Sequence, residues 1–139
     1  MAWSAADNAL LLYGGFNAAG SFRDLWRWDG ITWTRLDSAG PAVTEGPALL
    51  AGAGGVMLVG SPDGTDSGTL GVWAWRRAQW VRADSGNGPP VRVGQGIAYD
   101  AARQRIVLFG GSDPAGNRAS SDTWEFDGRR WLLVNTATR

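Results

Sequence analysis

The sequence contains no cysteine and no histidine. Without thiols there is no disulfide, thiolate metal site, iron–sulfur cluster or cysteine nucleophile. Without imidazole the commonest general base, the commonest metal ligand and every Ser-His triad are excluded. Lysine is missing as well, since all 13 basic residues are arginine. That removes a lysine Schiff base and a phosphate-loop lysine. Neither sign of charge is in surplus: 13 Arg balance 13 Asp and Glu, for a formal net charge of zero. A dedicated nucleic-acid binder needs excess positive charge to displace counterions, and a polybasic membrane module needs it to reach anionic lipid. Neither partner is therefore expected. No apolar run reaches the ~18 residues of a membrane helix. The longest uncharged stretch, Gly46 to Pro62, is broken by Gly52, Gly54, Gly55 and Gly60. Met1-Ala2-Trp3-Ser4 lacks the charged start and apolar core of a secretory signal, so the cytoplasm is the default expectation.

Tryptophan and glycine are what the chain has in abundance. Nine Trp and 21 Gly occur in 139 residues, with 44% hydrophobic residues in a mass of 14.8 kDa. That length fits one folded domain. Many Trp with many Gly point to short aromatic strands joined by tight turns. Arginine as the sole strong base, with abundant Ala, Gly and Trp, suggests a GC-rich bacterial gene.

The chain repeats itself. Ile97-Ala98-Tyr99 through Phe109-Gly110-Gly111, shifted back 96 places, lies over Met1-Ala2-Trp3 through Tyr13-Gly14-Gly15. A shift of 50 brings in Val56 through Gly60-Ser61. A second half repeats too: Asp24-Leu25-Trp26-Arg27-Trp28, Gly71-Val72-Trp73-Ala74-Trp75 and Asp122-Thr123-Trp124-Glu125-Phe126. Seven residues after Trp26, Trp73 and Trp124 stand Trp33, Trp80 and Trp131. Three copies result, at about 1–36, 47–83 and 94–134, and each divides into four strands. The expected strands are 1–4, 9–13, 24–28 and 32–36; then 47–51, 56–60, 70–75 and 79–83; then 94–99, 105–109, 122–126 and 130–134. Apolar and β-branched runs bounded by Gly, Asp, Asn and Pro support each one. Asp29-Gly30 and Asp127-Gly128 mark tight turns that need positive φ. No capped 3.6-residue period predicts a long helix.

A strand ending in Gly-Gly, an aromatic about 11 residues later and a Trp seven beyond it resemble the kelch motif. A four-stranded repeat of about 50 residues has the kelch period. The third copy, with Pro89-Pro90-Val91-Arg92 ahead of it, is the most similar to bacterial kelch repeats of galactose-oxidase-like propellers. The carriers of the resemblance are Gly14, Gly15, Trp26, Trp33, Gly60, Trp73, Trp80, Gly110, Gly111, Trp124 and Trp131. Two departures stand out. Gln95 takes the place of a frequent His, and copy two has Gly60-Ser61 in place of Gly-Gly. The resemblance implies an all-β propeller of four-stranded antiparallel blades. Three blades cannot close a ring of the usual 4–8, so two readings are open: completion to six by a homodimer, which is the expectation, or a piece of a longer propeller.

In such a blade the connections between strands two and three share an end with those between blades. Here these are about 14–23, 61–69 and 111–121, with 37–46 and 84–93. Binding residues concentrate on variable loops over a rigid scaffold. The candidates for an unidentified protein or glycan ligand are Phe16, Asn17, Phe22 and Arg23, then Asp63 and Asp66, then Asp113, Asn117 and Arg118. Arg92 and Gln95 join them at the expected channel lining. Asp63 and Asp66 are turn formers first, with Ca²⁺ binding a minor alternative. The tryptophans are expected as inter-blade core, against the alternative of a sugar-stacking cleft. No metal, no cofactor and no catalytic residue is expected. A galactose-oxidase-type copper site needs His and Cys, which are absent. A carboxylate glycosidase would need an Asp or Glu pair in a cleft. The expected function is a non-catalytic scaffold for protein or ligand binding, with a lectin-like propeller as the alternative and a carboxylate-based glycosidase as a less favoured one.

Overall fold

In the computed structural model, residues 1–52, 54–62 and 68–136 are described. They form three antiparallel four-stranded sheets, each a simple meander in chain order. Sheet 1 holds β1 (Ala2–Ser4), β2 (Ala9–Asn17), β3 (Gly20–Trp28) and β4 (Trp33–Asp37). Sheet 2 holds β5 (Val43–Gly52), β6 (Gly55–Pro62), β7 (Gly71–Arg76) and β8 (Gln79–Arg82). Sheet 3 holds β9 (Gly96–Asp100), β10 (Arg105–Phe109), β11 (Asp122–Phe126) and β12 (Trp131–Thr136). Every expected strand is present. The described residues form no helix, so none is long and apolar enough to cross a membrane.

Local chemistry sets the turns. Asp29 Oδ1 accepts from the amides of Ile31 and Thr32, and Asp127 Oδ1 accepts from those of Arg129 and Arg130, all at 2.9 Å. The following Gly30 and Gly128 take φ of 101° and 96°. A side chain bonding its own backbone two residues on is the Asx turn. The β7–β8 turn uses Arg77 and Ala78 instead, at φ 50° and 60°. Those values cost energy in residues that carry a Cβ.

Alternation along the strands gives each sheet two different faces. In sheet 2 one face carries Leu49, Val56, Leu58, Trp73, Trp75 and Trp80. It packs on Leu11, Tyr13 and Leu25 of sheet 1. The reverse face carries Leu50, Met57, Val59 and Val72. It packs on Ile106, Leu108, Trp124, Phe126 and Trp131 of sheet 3. Each tryptophan face repeats one pairing. The ring centroids of Trp28–Trp33, Trp75–Trp80 and Phe126–Trp131 are all 5.3 Å apart. Arg35 lies over Trp26, and Arg82 over Trp73, in the same way. The first strands of the three sheets, β1, β5 and β9, adjoin in that order.

Two faces are left without a sheet against them. On sheet 1 it is the tryptophan face, with Leu10, Leu12, Trp26, Trp28 and Trp33. On sheet 3 it is the reverse face, with Val107, Phe109, Glu125 and Leu132. Trp33 is 41% exposed, whereas its equivalent Trp131 is 5% exposed. The tryptophans therefore form inter-sheet core in sheets 2 and 3 only.

Candidate functional site

Two clefts open among the described residues of the β2–β3 hairpin, the β10–β11 connection and the segments that lead into sheets 2 and 3. The expected loop 14–23 is mostly strand. β2 runs on to Asn17 and β3 starts at Gly20, with Gly15 opposite Phe22 and Asn17 opposite Gly20. A bulge at Gly14 makes this possible. Gly14 has φ 65°, and a Cβ there would sit 3.0 Å from the Phe22 carbonyl oxygen. The hairpin so formed carries Phe16 at 87% exposure and Phe22 at 49%. With Tyr13, Val43, Thr44 and Pro47 they line a cleft of about 300 Å³. Asn17 shapes the turn rather than the cleft, its Oδ1 accepting from the Ala19 amide at 2.8 Å. Arg23 is exposed beside it, and its carbonyl accepts from Gly40 N–H at 2.7 Å.

Tyr13 closes the floor of this cleft. Its hydroxyl donates to the Pro41 carbonyl at 2.5 Å, and its ring meets Trp80 edge-on at 5.4 Å. Burial pushes its pKa up to about 12, against a smaller opposing pull from Arg23.

The second cleft, of about 220 Å³, lies on sheet 3 and brings together Arg92, Asp113 and Arg118 with Pro90, Val91 and Ser120. Arg92 is 2% exposed, and four of its five N–H donors are committed. Nε donates to the Pro90 carbonyl at 3.0 Å, and Nη1 to the Gly110 carbonyl at 3.0 Å. The guanidinium also grips both oxygens of Asp122, at 2.5 and 3.1 Å. Asp122 additionally accepts from Trp124 Nε1 at 2.7 Å. The Arg92 hydrogen bond holds its carboxyl well below the ordinary 3.8. Asp122 thus pairs with Arg92. Asp113 builds the turn: its Oδ1 accepts from the Asn117 amide at 2.7 Å, and its own amide donates to the Arg118 carbonyl. Gln95 packs against Gly111, with its Oε1 buried and unbonded to protein.

Asp63 and Asp66 lie outside the described residues. Among the described residues no group of three or more Asp and Glu could hold a metal ion. Gly110 and Gly111 take φ of 67° and 93°, like Gly14 and Gly15, and end β10. Gly60 is not left-handed, and β6 runs through Ser61 to Pro62. A serine in the second place disfavours the left-handed pair, so the strand continues.

Sequence reasoning missed Val43, Thr44 and Pro47, which β5 brings to the cleft by pairing with Ser61 and Pro62. It also missed a hollow of about 510 Å³ lined by Trp3, Tyr99, Ala51 and Gly52 among others. No local signal marks either, because both depend on packing between sheets. No protein-family model matches the chain, and no curated protein matches it closely enough to count as a relative.

Proposed function

We propose that the chain is half of a six-bladed kelch-type propeller and serves as a non-catalytic scaffold, closed head to tail by a second copy. The carrying observation is that its two uncovered faces are the two halves of a contact it already makes twice. Sheet 1 offers a tryptophan face and sheet 3 a reverse face, and those faces pack together at both internal junctions. The accessible surface supports this. It is 8165 Å², against roughly 7,000 Å² for a folded monomer of this mass. The excess, on the order of 1,000 Å² per copy, suits a stable dimer. The Phe16–Phe22 cleft and the Arg92–Arg118 cleft are where a partner would bind. Their polar groups serve as turn formers and clamps, which supports binding over catalysis.

Light scattering on a size-exclusion column tests the ring. The expected mass is twice 14.8 kDa, and Leu132→Asp on the uncovered face of sheet 3 should give the single mass. A clean monomer for the natural chain overturns it. A second reading, a carbohydrate-binding propeller, is favoured by the Trp3–Tyr99 hollow, where an aromatic is exposed beside small residues. Binding on a glycan array that Trp3→Ala abolishes would establish it.

A further inference from the structure

The three repeats treat one carboxylate position in three ways. In sheet 3, Asp122 accepts from Trp124 Nε1 and from the buried Arg92, which lies in the segment leading into β9. In sheet 2 both partners are missing together: Gly71 replaces the Asp and Ala42 replaces the Arg. The register fixes that equivalence, since Val43 opposes Pro62 as Val93 opposes Ser112. Arg82 fills the vacated space, its Cζ 2.9 Å from where a Gly71 Cβ would be, and pairs with Asp84. In sheet 1 the Asp is kept. Asp24 accepts from Trp26 Nε1 at 2.6 Å, as Asp122 does from Trp124. Yet among the described residues Asp24 has no ion pair. The position equivalent to Arg92 falls five places ahead of Met1.

A second marker points the same way. Gly40 and Gly88 lie in the segments leading into sheets 2 and 3, each against the fourth-strand tryptophan of the sheet it enters. A Cβ on Gly40 would be 2.9 Å from Trp80 Nε1, and one on Gly88 would be 3.0 Å from Trp131 Cδ1. Trp33, the same residue of sheet 1, has no such glycine against it among the described residues and is exposed.

We propose that this edge of sheet 1 is a receptor for an extended polypeptide segment carrying a glycine and, four residues on, an arginine. The spacing is that of Gly88 and Arg92. The glycine covers the Trp33 indole, and the guanidinium bonds Asp24 bidentately, where charge and planar geometry both match. The proposal rests on the propeller reading only in that sheet 1 is entered as sheet 3 is.

The test places a copy of residues 88–96 directly ahead of Met1, the register of the third repeat. The expected result is a rise in melting temperature of roughly 5 °C, the scale of one charge-assisted bond in a chain this size. At least half of that rise should vanish when the added arginine is changed to alanine or when Asp24→Asn is introduced. No gain over a scrambled nine-residue extension overturns the proposal, as does a gain that survives both changes. If the extended chain does not fold, the same nine residues are added as a free peptide to the 139-residue protein. Binding weakened at least tenfold by Asp24→Asn supports the proposal, and binding indifferent to it, or absent, overturns it. The ring is judged separately by mass: a stable dimer in which the extension gains nothing overturns the segment and leaves the ring standing.

Discussion

Arg92 and Asp122 are thirty residues apart in sequence and form a two-pronged ion pair whose arginine side chain is 3% exposed. Removing the anion leaves a buried cation without compensation. Asp122→Asn should therefore destabilise the chain by about 3 kcal/mol. The pair also sets an acid limit. Asp122 titrates below the ordinary 3.8 in the folded state, chiefly through the Arg92 hydrogen bond. Its contribution is complete above pH 3.8 and is lost as pH falls through the lower folded value. Denaturant titrations at pH 6 and pH 3 should show less acid sensitivity in Asp122→Asn than in the natural chain.

The opposite limit belongs to Tyr13. Its folded pKa, near 12, exceeds the ordinary 10.0 because burial disfavours the phenolate. The stability tied to the neutral hydroxyl is intact below pH 10 and is lost as pH rises through 12. Phenolate absorbance should show one tyrosine titrating near pH 12, and Tyr13→Phe should delete that step. The Phe variant should also be less stable at pH 7, by about 1 kcal/mol for the bond to Pro41.

Gly88 sits where backbone and ring leave no room. A Cβ would lie 2.5 Å from the Leu70 carbonyl oxygen as well as against Trp131. Gly88→Ala should cost about 2 kcal/mol, within the range of overpacking. Gly54→Ala, where nothing lies within 4 Å and φ is not left-handed, should shift the melting temperature little. Equal effects at the two sites would contradict the packing described for Gly88.

Arg77 and Ala78 hold left-handed φ without the residues that favour it. Replacing the pair by Asn-Gly suits a two-residue hairpin with both φ positive. The double variant should gain about 1 kcal/mol in urea denaturation, with an unchanged slope.

The strands were legible because their signals are local and repeated. A Trp seven residues after the first Trp of a Trp-x-aromatic pair identified β3–β4, β7–β8 and β11–β12 alike. The expected loop 14–23 proved to be hairpin because its pairing depends on the Gly14 bulge, not on β-propensity at Asn17 or Gly20. The expected strand 47–51 starts at Pro47, but β5 starts at Val43, and Pro47 sits at the register shift between Thr44 and Ala48, where β5 loses pairing and resumes it. Of the binding candidates, Phe16 and Phe22 converge on one cleft, and Arg92, Asp113 and Arg118 on another. That Arg92 is spent on Asp122 is a contact between distant segments, which no short-range pattern encodes.

The two faces of each sheet differ, and this gives the stack a direction. A directional contact cannot be satisfied by two identical faces meeting, so copies joining through the uncovered faces would add only nose to tail. Whether such addition stops depends on the rotation between neighbouring sheets. If two copies turn through a full circle, the product is finite and discrete. If packing of Leu11, Tyr13 and Leu25 on Trp73 and Trp75 flattens that rotation slightly, the same contact propagates without end as a filament. Side-chain volume at these positions would thus govern not only how firmly the sheets hold but whether the proposed assembly is a particle or a fibre.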